Sequence, residues 1–172
     1  FFAVWKCAVC RSIHSLPKIP LDEFYKASPF PRRRLNRWNR KAFEGFRRWL
    51  AGRGVGPWSR ILFYGVNADL FRSFFEEKGF LHFAAADGTR GEPPPGADGD
   101  PLDCLIVLDE LERLEEPRQI FEFARRRLRA GGLLVVHTQD ADRLRLGTVD
   151  TPFACDKVFH IFTDSKASLV MA

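Results

Sequence analysis

Between residues 59 and 138 the chain alternates between two apolar patterns. Unbroken apolar runs occur at "RILFY", "FLHFAAA", "DCLIVL" and "LLVVHT". Between them lie stretches such as "ADLFRSFFEEKG", where apolar residues recur at three and four. The first pattern predicts strands buried on both sides, and the second predicts helices with one apolar face. The expected elements are a strand at 60–64, a helix at 67–78 closed by Gly79 and a strand at 80–86. A strand at 103–108, a helix at 117–129 and a strand at 133–138 follow. Pro117 suits the first turn of its helix, and "AGG" is expected to end it.

Upstream, Leu35, Trp38, Ala42, Phe43, Phe46, Trp49 and Leu50 recur at helical spacing with Arg and Lys between them, and Gly52 follows as a stop. They predict an amphipathic helix of about four turns, with both indoles on its apolar stripe. Residues 1–30 mix a short apolar start, a CxxC and three prolines, which reads as strand, knuckle, loop and one short helix. Residues 87–101 hold eight Gly or Pro in fifteen and predict no regular element. Near the end, "KVFHIF" reads as a short strand or extended run and "TDSKASLVMA" as a capped helix.

Strands separated by helices predict an α/β fold with a mostly parallel sheet covered on both faces. In such sheets ligands bind beyond the carboxyl ends of the strands, where strand order reverses. The turn after Phe63, Asp87, Asp109 and His137 all fall at that end. The organisation expected is an appendage over 1–30, a basic helix and linker over 31–58, and the α/β domain over 59–172.

Charge sharpens this division. Residues 1–60 carry 14 Lys or Arg against 3 Asp or Glu, whereas residues 61–172 carry 13 against 19. No apolar run approaches the roughly 20 residues of a membrane span, and no signal-peptide pattern stands at the start, so a cytoplasmic protein without a membrane partner is expected. Cys7, Cys10, Cys104 and Cys155 are too few and too unevenly spaced for a disulfide scaffold. The chain opens on Phe1 and has Met171 as its only methionine, which reads as a processed or partial chain.

The segment "LDCLIVLDELERLEEPRQIFEFARRRLRAGGLLVVHTQD" resembles class I S-adenosylmethionine-dependent methyltransferases, in particular those whose domain follows a cysteine-bearing zinc ribbon. It is similar to that family's fourth strand, acidic turn, "EHL.DP" stretch, helix, "L+PGG" turn and fifth strand. Asp103, Asp109, Glu112, Leu114, Pro117, Gly131 and Gly132 fall on family-like positions; Arg113 stands where the family has His. "SRILFYGVNADLFRSFFEEKGF" resembles the cofactor loop, "CAVC" with the following "IP" and "FY" the end of the ribbon, and "KVFHIFTDSKASL" the family's "H..HF...SL". The resemblance implies a Rossmann-like three-layer sandwich, here lacking the family's third strand and terminal hairpin.

It also implies S-adenosylmethionine as cofactor and methyl transfer to a small-molecule acceptor. The expected cofactor-binding residues are Gly65, Val66, Asn67, Asp87, Leu108 and Asp109. Of the family's acid-x-Gly-x-Gly-x-Gly loop only Gly65 remains: Phe63 takes the acid position, and Asn67 and Asp69 the later glycines. Asn67 tolerates a left-handed backbone, but its side chain would stand where a ligand comes closest. Asp69, in the first turn of a helix, suits the helix dipole but competes with a bound carboxylate.

Asp87 lies 22 residues after Gly65, where an acid accepts ribose hydroxyls; it reads equally as the first residue of an Asp-Gly turn. Asp103, Leu108 and Asp109 are expected to border the crevice, with Asp109 either facing ligand or capping a helix. His137 reads as a general base or a hydrogen-bonded strand end, and His160 likewise.

Cys7 and Cys10 have zinc-knuckle spacing and are the candidate metal ligands, but tetrahedral zinc needs four; the resemblance implies a first CxxC upstream in a longer chain, and a disulfide or free thiols are the alternative here. The run "PRRRLNRWNRK" carries charge and an aromatic, as nucleic-acid-binding segments do. With Trp38 on the apolar stripe, a partner protein or acidic substrate is the expected use of that charge, and nucleic acid is not. The alternative to an enzyme is an inactive methyltransferase-fold binding module, and a nucleic-acid-binding domain is a third reading.

Overall fold

The computed structural model describes residues 3–9, 13–16, 34–65, 68–86, 99–111, 114, 116–138 and 162–163. Its centre is a four-stranded, all-parallel sheet built from β3 (Ile61–Gly65), β4 (Phe83–Ala86), β5 (Leu102–Leu108) and β6 (Leu128–His137). The spatial order is β4-β3-β5-β6. Helix α1 (Arg37–Ala51) precedes the sheet, α2 (Ala68–Glu77) joins β3 to β4, and α3 (Arg118–Arg127) joins β5 to β6.

The unbroken apolar strands have the predicted cause. Ile61 and Phe63 pack on one face with Leu50, Phe71, Phe74 and Phe75, while Leu62 and Tyr64 pack on the other with Ile120, Phe123 and Ala124. The first face is thus covered by α1 and α2 and the second by α3. Strand order runs one way from β3 to β4 and the other way from β5 to β6, so right-handed crossovers send α2 and α3 to opposite faces. This is a Rossmann-like α/β arrangement, and among the described residues no helix is long and apolar enough to cross a membrane.

Several boundaries differ from expectation for physical reasons. β4 begins at Phe83 instead of Phe80. Phe80 is buried against Phe75, and its N–H bonds the Phe75 carbonyl at 3.0 Å, so it closes α2 after Gly79 at φ +81°. The "AGG" turn does not separate α3 from its strand. α3 ends at Arg127, β6 begins at Leu128, and the glycines lie in a register irregularity between the pairs Leu102↔Leu128 and Cys104↔Leu133. There Gly131 adopts φ +74°, and a Cβ on Gly132 would come 3.0 Å from the Arg129 carbonyl.

Helix α1 starts as its sequence suggests but buries a narrower stripe. The Asn36 side chain accepts the Trp38 and Asn39 N–H groups at 2.9 and 3.0 Å, and the Asn39 side chain accepts the Asn36 N–H at 2.7 Å, a reciprocal cap. Leu35, Phe43, Phe46 and Leu50 face the core. Trp38 and Trp49, expected on that stripe, are 69% and 40% exposed. At 3.6 residues per turn Phe43, Phe46 and Leu50 lie about 80–140° round the helix from Trp38, too far to share its face.

The N-terminal strand is one of a pair, and Cys7 follows it directly. β1 (Ala3–Lys6) and β2 (Ile13–Leu16) form an antiparallel hairpin, and β7 (Phe162–Thr163) adds to β2 through Ile13↔Thr163 and His14↔Phe162. The expected short helix before residue 30, the helix at "TDSKASLVMA" and the 87–98 part of the Pro/Gly loop lie outside the described residues.

Candidate functional site

The order β4-β3-β5-β6 places the reversal of strand order between β3 and β5. Those two strands end level, with Gly65 paired to Leu108, and β6 ends beside them with Leu108 paired to His137. The crevice at this switch point is where an open parallel sheet binds ligands. Gly65, Leu108, Asp109 and His137 are therefore brought to one edge, as the sequence implied.

Gly65 is required by packing between the strands. A Cβ there would lie 2.8 Å from the Leu108 carbonyl oxygen and 3.2 Å from the Phe63 ring. Both are too close, and the first is backbone, which cannot swing aside. Phe63, at the family's acid position, is fully buried and stacks on Phe71 with centroids 4.3 Å apart. Asp69 is exposed in the first turn of α2. Val66, Asn67 and Asp87 lie outside the described residues; β4 ends at Ala86, paired with Tyr64.

Past the end of β5 the chain turns sharply. Asp109 adopts φ +54°, the left-handed region that Asp enters more readily than most residues. Its N–H donates to the His137 carbonyl at 2.9 Å, extending the β5–β6 ladder by one bond. Its Oδ1 lies 2.8 Å from His137 Nδ1, and the two side chains are 54% and 67% exposed. An ionised carboxylate can only accept, so Nδ1 is the donor in this contact, and in a neutral imidazole that leaves the lone pair on Nε2. Asp109 does not cap α3, which begins nine residues later at Arg118, with Pro117 as its N-cap and no side-chain cap.

The residue after Asp109 was not legible as special. Glu110 is fully buried, and Leu111 beside it belongs to the core under α3. Only a pair of acids after a strand marks the place in sequence, and nothing local tells which of them turns inward.

Asp103 does not border the crevice. It stands at the amino end of β5, where one carboxylate oxygen accepts the Arg60 N–H at 2.7 Å and the other meets the Arg129 guanidinium. Arg129 first, then the Arg60 amide, hold its carboxyl below the usual range. Arg60 also pairs with Asp100 at 2.5 Å, so this end of the sheet is cross-linked by charge. Cys104 is fully buried, and burial followed by the neighbouring Asp103 charge pushes its thiol up to about 12, which removes it as a nucleophile.

Among the described residues no group of three or more His, Cys, Asp or Glu side chains could hold a metal ion. Cys7 is half-buried just after β1, and Cys10 and His160 lie outside the described residues. No protein-family model matches the chain, and no curated protein matches it.

Proposed function

We propose that the crevice at the ends of β3 and β5 binds S-adenosylmethionine, and that the chain directs methyl transfer to a small-molecule acceptor. The observation that carries this reading is the Asp109–His137 pair, held at the switch point by one backbone and one side-chain hydrogen bond. The described rim residues suit such a ligand in part. The Gly65 and Leu108 backbones end level, and Asp109 keeps Oδ2 for a hydroxyl or an amine. Val66 and Asn67 follow the end of β3 in sequence and Asp87 the end of β4, and they would complete the cradle.

When bound, the cofactor supplies an electrophilic methyl group on a sulfonium. The chain's own part is proton handling and orientation. Asp109 fixes the tautomer and direction of His137, and Nε2 takes the proton that the acceptor loses as it attacks. Positioning of this kind accounts for most of the rate in a displacement that needs no covalent help from the protein.

A second reading has its own support. Phe63 turns into the core, and the one remaining loop glycine is accounted for by Leu108 without any ligand. A binding module that no longer catalyses would keep both features. The test is retention of tritiated S-adenosylmethionine, followed by transfer of label to the small-molecule fraction of a cell extract. Transfer that His137→Ala abolishes while retention persists supports the enzyme. Retention without transfer selects a binding module that keeps the cofactor, and no retention removes the enzyme.

A further inference from the structure

The outward face of α1 is built unlike a solvated helix surface. Trp38 and Trp49 are eleven residues apart, which places both indoles within about 20° of one line along the helix and about 16 Å apart. Between them on the same line is Gly45, where an added Cβ would meet nothing within 4 Å. A helix-interior glycine lowers helix stability relative to alanine, and among the described residues no neighbour requires it. The result is a shallow trough with an indole at each end. Arg37, Lys41 and Arg48 lie along one edge, about 60–120° round from the indoles.

These cations differ from the others on the helix. Arg40 pairs with Glu77 at 2.6 Å and Arg47 with Glu44 at 2.6 Å. Among the described residues no carboxylate pairs with Arg37, Lys41 or Arg48. Arg37 lies over the Trp38 ring at 4.6 Å, and the indole is still 69% exposed. Arg48 donates to the Glu44 carbonyl at 3.4 Å and its charge also acts on the Glu44 carboxylate, so Arg37 and Lys41 are the uncompensated cations of the row, beside an exposed indole.

We infer that this trough binds single-stranded nucleic acid, with phosphates along the cation row and a base against Trp38. Unpaired charge calls for a polyanion, and the exposed indole calls for one that also presents flat rings, which is the combination single strands supply. A duplex hides its base faces, an acidic peptide has none to stack, and a membrane rewards a broad apolar band that Gly45 and the cations interrupt. The premise that made nucleic acid the less expected partner, Trp38 on the buried stripe, does not hold in the structure.

The test is fluorescence anisotropy of labelled oligothymidylate and oligouridylate of about 12 nucleotides, within the site sizes single-strand binders use. Blunt duplex, polyglutamate and anionic vesicles serve as competitors. The expected result is binding to one or both single strands that weakens about tenfold to twentyfold between about 50 and 200 mM salt, as three phosphate contacts require. Trp38→Ala should weaken it about tenfold or more through lost stacking. Gly45→Glu should abolish it while the helix stays folded, since Glu is the better helix former. No binding at low salt, binding that both variants leave intact, or equal competition by duplex, polyglutamate or vesicles overturns the inference.

Discussion

Asp109 and His137 are joined twice, by the Asp109 N–H on the His137 carbonyl at 2.9 Å and by Oδ1 on Nδ1 at 2.8 Å. The left-handed backbone of Asp109 accompanies both bonds. A left-handed non-glycine residue costs about 1–2 kcal/mol, somewhat less for Asp, whereas a side-chain hydrogen bond contributes about 0.5–1.5 kcal/mol. Asp109→Gly should therefore unfold in urea within about 1 kcal/mol of the wild type. Asp109→Ala keeps the strain and loses the pair, so it should be the less stable of the two. If Asp109 serves the ligand, both variants lose affinity regardless of this ranking.

Gly65→Ala tests the close approach of β3 and β5. With the Leu108 carbonyl 2.8 Å from the new Cβ, the strands must part or twist. A loss of about 1–3 kcal/mol is expected in denaturant titrations, typical of overpacking at a rigid contact. A neutral result would mean that the strand ends lie further apart than described.

The two sides of α1 separate clearly in energy. Phe46 packs against the core and Trp38 does not. Phe46→Ala should destabilise by a few kcal/mol, near the low end of the about 3–5 kcal/mol seen for buried Phe because Phe46 is only half-buried. Trp38→Ala should stay within about 0.5 kcal/mol. Equal losses would restore Trp38 to the buried stripe.

Acid sensitivity should map to Asp103. Its carboxyl lies below the ordinary value because Arg129 and the Arg60 amide favour the charged form. A depressed folded-state value adds stability that is fully present above the unfolded value of about 3.9 and is lost as pH falls through the folded value. Thermal stability should thus decline below about pH 4, and Asp103→Asn should be less stable at neutral pH with a shallower acid limb. An unchanged limb would assign the acid transition to other carboxylates.

Much of the fold was legible because both of its periods were present. The apolar runs of β3 and β5 and the spacing of Phe71, Phe74 and Phe75 each have only one way to bury their faces. What the pattern could not resolve was angular. Trp38 and Trp49 fit a three-and-four recurrence yet lie beside the stripe, because a wide apolar arc does not say which edge meets the core. The β6 irregularity was hidden for a similar reason: "AGG" reads as a helix end, and only the pairing of β6 with β5 shows that the strand has already begun. At the site, strand ends placed Gly65, Asp109 and His137 together. The Asp109–His137 bond and the burial of Glu110 depend on a left-handed turn that no local signal announces.

The central claim is that the switch-point crevice takes an adenosyl ligand, and calorimetric titration with S-adenosylhomocysteine tests it most directly. The account predicts micromolar binding by the wild-type chain, weakened at least tenfold by Asp87→Ala and by Asp109→Gly, with a thermal shift that rises with ligand concentration. No heat and no thermal shift at millimolar ligand would contradict it.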